Sequence, residues 1–60
     1  MKEYRFRIYK DSNWSEIVRV FNTEDDAHSY AKRLLKEYVA DSVKIEIAIK
    51  KYFYIGEVSE

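Results

Sequence analysis

The chain contains no cysteine, no proline and a single glycine, Gly56, in 60 residues. Without cysteine there are no disulfides and no thiolate metal sites, and the composition fits a reducing compartment as it fits many others. Without proline, and with one glycine, there is no flexible linker and no low-complexity tract. Positive and negative charge cancel, with 11 basic and 11 acidic residues. A protein held to nucleic acid mainly through phosphate contacts normally carries a basic excess. No apolar run approaches the roughly 18 residues that a membrane span needs. The opening MKEYRFR lacks the apolar core of a signal peptide. These absences lead to the expectation of a cytoplasmic protein, with no membrane contact and no small-molecule substrate. A chain of this length is expected to make one small domain, residues 1–60, burying only about 60% of the surface its unfolded form exposes. Such domains commonly gain robustness from a partner.

What is present is periodicity. The stretch TEDDAHSYAKRLLKEYV, residues 23–39, has a helical period. Ala27, Tyr30, Ala31, Leu34, Leu35 and Tyr38 share one apolar face at i, i+3, i+4, i+7, i+8 and i+11. Thr23 is placed to cap the first turn, with Asp26 three residues on as in a capping box. Glu24, Asp25 and Asp26 set negative charge at the positive end of the helix dipole, and Lys32, Arg33 and Lys36 set positive charge toward the other end. The period is lost near Val39–Asp41, where the helix is expected to end.

On either side the period is two. In EYRFRIYK, residues 3–10, Tyr4, Phe6 and Ile8 alternate with Arg5, Arg7 and Tyr9, as in a half-buried strand. Asp11-Ser12-Asn13 reads as a turn, with Asn13 suited to a left-handed conformation. A second strand, WSEIVRVF, has two apolar sides. Val18 and Val20 are expected inward, with Ile17 and Arg19 outward and Phe21 under the helix start. After the helix, Val43, Ile45, Ile47 and Ile49 alternate with Lys44, Glu46, Ala48 and Lys50. A right-handed crossover sets this third strand beside the first. The expected fold is α+β: an antiparallel sheet of three or four strands, order 2-1-3 or 2-1-3-4, with one helix on one face, ββαβ(β).

The alternation runs on through Phe53 and Ile55. A straight strand over residues 43–58 would span roughly 50 Å at ~3.3 Å per residue, against a globule diameter of roughly 27 Å. Either it turns near Ile49–Lys51 into a fourth strand, or residues 50–58 leave and pair with another chain. No Gly, Asn, Asp or Pro at residues 49–52 encodes a tight turn. Gly56 suggests a bulge or a close approach.

Chemistry-bearing patterns are few. No serine has a base and an orienting group in context, and one histidine, His28, serves the whole chain. Asp25 and His28 supply two metal ligands without a third. No catalytic residue, metal or cofactor is expected, and the protein is expected not to be an enzyme. Charge is nevertheless uneven. Residues 1–10 hold four basic residues against one acidic, a local +3, and residues 11–30 hold one against five, a local −4. One helix covers one sheet face, so the other is left open. On the expected facing it carries Arg5, Arg7, Tyr9, Ile17, Arg19 and Ala48, joined by Tyr52 and Tyr54 if the chain turns. Trp14, beside a polar turn, is either a partner anchor or a cover for the sheet end. Such a face suits a protein partner or a second copy of the chain, a single-stranded nucleic acid, or plain solvent. Glu24, Asp25 and Asp26 are explained by capping, and also form an acidic patch of the kind that mimics phosphates.

The strand–strand–helix–strand order, the small size and the aromatic load resemble small accessory proteins of phages and mobile elements. That resemblance implies a surface-binding protein, of the kind that inhibits a host factor such as a CRISPR effector. It rests on architecture without a motif, so no residue role follows from it.

Overall fold

The computed structural model describes all 60 residues. The elements are β1 (Lys2–Lys10), β2 (Asn13–Phe21), α1 (Glu24–Glu37), β3 (Ser42–Ile49) and β4 (Lys51–Ser59). The four strands form one antiparallel sheet in the order β2-β1-β3-β4. The helix packs across one face of it. The molecule measures 30 × 20 × 15 Å, too short to hold a straight strand over residues 43–58, and the chain turns back. Residues 51–59 pair with β3 of the same molecule, so the alternative of a C-terminal strand leaving for another chain is not what the structure adopts. No helix is long and apolar enough to cross a membrane.

The core follows from the two periods. Tyr4, Phe6 and Ile8 of β1 and Val43, Ile45 and Ile47 of β3 point at the helix and are buried. Ala27, Ala31 and Leu34 meet them from above. The small side chains of Ala27 and Ala31, both fully buried, let the helix backbone come close to the central strands. Phe21 completes an aromatic cluster, with its ring centroid 5.2 Å from Tyr30 and 6.1 Å from Phe6. Phe6 meets Tyr30 edge-on at 5.0 Å, an arrangement that suits the ring quadrupoles. Tyr4 is buried with its hydroxyl unmatched by any group of the chain. Burial first, then the charges of Glu24 and Asp26, push its pKa up.

The facing of β2 is the reverse of the sequence expectation. Only the two residues Asp11 and Ser12 separate the closing pair Lys10–Asn13, and counting outward places Ile17 opposite Phe6 and Arg19 opposite Tyr4. Ile17 and Phe21 therefore lie on the helix side, partly buried against the core. Arg19 shares that side but is exposed. Val18 and Val20 lie on the open face, 42% and 49% exposed. The hairpin register decides this, because directly opposed residues in an antiparallel pair share a face.

Three non-glycine residues have positive φ: Asp11 at 56°, Val39 at 50° and Lys50 at 66°. Asp11, rather than Asn13, is the left-handed residue of the first turn, and its N–H donates to Asp41 Oδ2 at 2.8 Å. Val39 closes the helix. Tyr38 is the C-cap, the Val39 N–H donates to the Lys36 carbonyl, and the Ala40 N–H donates to the Leu35 carbonyl. This is a Schellman closure with valine where glycine usually stands. Lys50 is the single residue between the paired Ile49 and Lys51, which is how the chain turns without turn-forming residues. Thr23 caps the other end of the helix as its sequence implies, accepting the Asp26 N–H on Oγ1 at 3.2 Å. Gly56 serves both expected purposes. The β3–β4 register shifts beside it, and a Cβ there would sit 3.1 Å from His28 Cε1.

A left-handed φ costs an L-residue about 1–2 kcal/mol, and a β-branched one is a marked outlier. Glycine returns part of that gain by losing about 0.5–1 kcal/mol more to chain entropy. Val39→Gly is expected to stabilise the fold by about 1 kcal/mol, raising the thermal midpoint by roughly 4–8 °C in a domain this small. Lys50→Gly should act in the same direction. Thermal and urea unfolding of the two variants measures both.

Candidate functional site

The sheet face away from the helix has no layer over it. It carries Glu3, Arg5, Arg7 and Tyr9 from β1, and Trp14, Glu16, Val18 and Val20 from β2. From β3 it carries Lys44, Glu46 and Ala48, and from β4 Tyr52, Tyr54 and Glu57. Of the residues singled out by sequence, the structure brings together Arg5, Arg7, Tyr9, Trp14, Tyr52 and Tyr54. Ile17 and Arg19 do not join them, because the register of β2 sends both to the helix side. Val18, Val20, Glu16, Lys44 and Glu46 take part instead. The signal for the valines lay in the sequence: a two-residue loop at Asp11-Ser12 sets Val18 opposite Arg5.

Glu46 is the electrostatic centre of the face. Directly across from it on β1, Arg5 Nε donates to Glu46 Oε1 at 2.6 Å. Arg7 Nε approaches the same oxygen at 3.3 Å. Arg5 Nη1 also lies 3.8 Å from Glu16 Oε2 on β2. The Glu46 side chain is only 15% exposed, so this is a half-sunk ion cluster spanning three strands. The Arg5 hydrogen bond, with the charges of Arg5, Arg7 and Lys44, holds the Glu46 carboxyl below its ordinary range, and partial burial opposes this. The reciprocal hydrogen bond holds the Arg5 guanidinium above its ordinary value.

Aromatic rings fill the space around the cluster. The Arg5 guanidinium stacks 4.0 Å from the centroid of the Tyr52 ring. Arg7 sits 5.1 Å from the Trp14 centroid, and Lys44 Nζ 5.1 Å from that of Tyr9. Tyr9 and Trp14 face each other across the strands, 6.5 Å apart. The Tyr52 hydroxyl donates to Glu3 Oε2, and that bond, then burial, pushes the Tyr52 pKa up. Trp14 and Tyr54 remain 53% and 60% exposed. Cations here are thus engaged by glutamates and rings of their own sheet. Arg5, Arg7 and Lys44 count three positive charges against four negative from Glu3, Glu16, Glu46 and Glu57, so the local basic excess of residues 1–10 disappears once the strands assemble.

The remaining candidates are less developed. Glu24, Asp25 and Asp26 form the exposed first turn of the helix beside its Thr23 cap. His28 packs against Gly56 of β4 rather than standing free on the surface. No three His, Cys, Asp or Glu side chains converge anywhere in the chain. One cavity, of about 190 Å³, lies at the end of the sheet near the helix C-terminus, lined by Ile8, Lys10, Asn13, Trp14, Ser15 and Tyr38. It is below the roughly 300 Å³ at which ligand pockets begin.

Comparison of the chain with protein-family models, curated proteins and solved structures finds no match. The geometry of the open face is therefore what bears on function.

Because the folded Glu46 value lies below the ordinary carboxyl value of 4.5, its contribution to stability is present above that value. It is lost as pH falls through the lower folded value. Glu46→Gln is expected to be less stable than wild type at neutral pH, and the gap should narrow as the pH falls below 4.5 and through the lower folded value. Urea midpoints of both proteins across that range test the sign.

Proposed function

We propose that the chain is a non-enzymatic protein-binding module whose open sheet face is the docking surface. The observation that carries this reading is the make-up of that face. Trp14, Tyr54 and Tyr9 stand with exposed Val18 and Val20 around a charge cluster that is already neutralised. Aromatic residues and arginine are enriched at the centres of protein interfaces. Rings stacked under guanidinium groups are held in place before a partner arrives, which lowers the ordering cost of binding. An inhibitor of host machinery acting by surface contact is one form of such a module, and the acidic first turn of the helix offers a second contact for a basic partner.

The cation–aromatic stacks also favour a second reading, a platform for single-stranded nucleic acid. Against it stand the ion pairs, which occupy the cations that phosphates would need, and the absence of a basic excess on the face.

The first reading predicts that Trp14→Ala combined with Tyr54→Ala abolishes capture of a protein partner from the native host, while circular dichroism shows the fold kept. Each such anchor commonly carries 2 kcal/mol or more of binding, roughly 30-fold in affinity. Equal capture by wild type and double variant would overturn the reading. Retention of a labelled single-stranded oligonucleotide at low salt, falling steeply as salt rises, would support the second one instead.

A further inference from the structure

We infer that two copies of the chain pair through the outer edge of β2, joining their sheets into one continuous antiparallel sheet. This uses the edge of the sheet and not its open face, so it stands or falls separately from the function proposed above.

The edge is available and its polar groups can be assigned. A two-residue hairpin loop closes on a hydrogen-bonded pair, here Lys10–Asn13. Alternation then turns the backbone groups of Ser15, Ile17 and Arg19 inward to Ile8, Phe6 and Tyr4. The Tyr9 carbonyl, which accepts from the Asp41 N–H at 2.8 Å, shows the matching odd-numbered residues of β1 turned toward β3. The N–H and C=O groups of Trp14, Glu16, Val18 and Val20 are left pointing outward. The Val18 carbonyl agrees: it accepts from Nη1 of the neighbouring Arg19 at 2.8 Å, not from β1.

Soluble proteins usually blunt such an edge with proline, a bulge, inward-pointing charge or a short strand. β4, the other edge, has a register shift beside Gly56. β2 has no proline, bulge or short length; its one inward-facing charge is Arg19, which lies on the helix side, stays exposed and engages only the Val18 carbonyl. The strand runs nine residues, Asn13–Phe21, without Gly or Pro, paired to β1 without interruption.

The sequence of β2 is complementary to itself. An antiparallel pairing centred on Ile17 matches the whole strand, Asn13 to the copy's Phe21. It sets Trp14 against Val20, Glu16 against Val18 and Ser15 against Arg19 of the second copy. No like charges meet, and an aromatic ring lies on a β-branched neighbour, a favourable cross-strand pair. Shifting the register by one pair in one direction sets Glu16 against its own copy. Shifting it in the other direction shortens the overlap. A second copy therefore fits this edge better than an arbitrary extended peptide, and the two open faces become one surface.

The test is mass in solution. Wild type should sediment at twice the 7.3 kDa of the chain at high micromolar concentration. Val18→Pro removes one outward N–H that β1 does not use, a change edge strands tolerate. It should halve the sedimenting mass while the circular dichroism of the fold is kept. Because the chain has no cysteine, a second readout is clean. Glu16→Cys protein mixed with Val18→Cys protein under mild oxidation should give a covalent heterodimer, and Tyr54→Cys alone should give none. A monomeric wild type overturns the inference, whether or not it captures an extended peptide. So does an undiminished mass for a folded Val18→Pro protein, or cross-linking at position 54 in place of 16 with 18.

Discussion

A single fourteen-residue helix laid on a sheet of four strands can shield one side only, and nearly everything in this molecule follows from that. On the shielded side the strands carry Tyr4, Phe6, Ile8, Val43, Ile45 and Ile47, and the helix answers with alanines where it must come close. On the unshielded side the strands cannot be apolar throughout, so charge and aromatic rings share the surface. Glu46 draws Arg5 and Arg7 together from the neighbouring strand, and the rings lie under the resulting cations. The open face is thus cross-linked by ion pairs and nearly neutral.

The molecule also tolerates local conformations that cost stability. Val39 takes the position where a helix is most readily closed by glycine, and Lys50 turns a hairpin alone. A small core has little to spare, yet both residues are held in place. Neighbouring pairings overdetermine them: the Schellman hydrogen bonds at one end, and the β3–β4 ladder running up to Ile49–Lys51 at the other. Strain of this kind persists where the surroundings admit no alternative.

Much of the fold was legible in the residues, and the parts that were not have physical causes. β1 and β3 have their phenylalanine, valine and isoleucine residues on one side only, so alternation alone orients them. β2 has Ile17 and Phe21 on one side and Val18 and Val20 on the other, and alternation cannot choose between them. That choice carried two candidate binding residues, Ile17 and Arg19, to the wrong face. Whether the C-terminal strand stayed home was also open, since no residue at 49–52 encodes a turn. The ladder holds Lys50 at a φ that its own preference would avoid.

The sequence by itself determined the helix, its Thr23 cap, the two central strands and their buried faces. These rest on local hydrogen bonding and on periodicity within one element. Only the tertiary structure decided the facing of β2, the return of β4 and the electrostatic character of the open face. Those depend on register between strands. Register places Glu46, more than 40 positions along the chain, directly across from Arg5. A basic N-terminal segment thereby becomes part of a balanced surface, because charges are neutralised by what lies beside them in space.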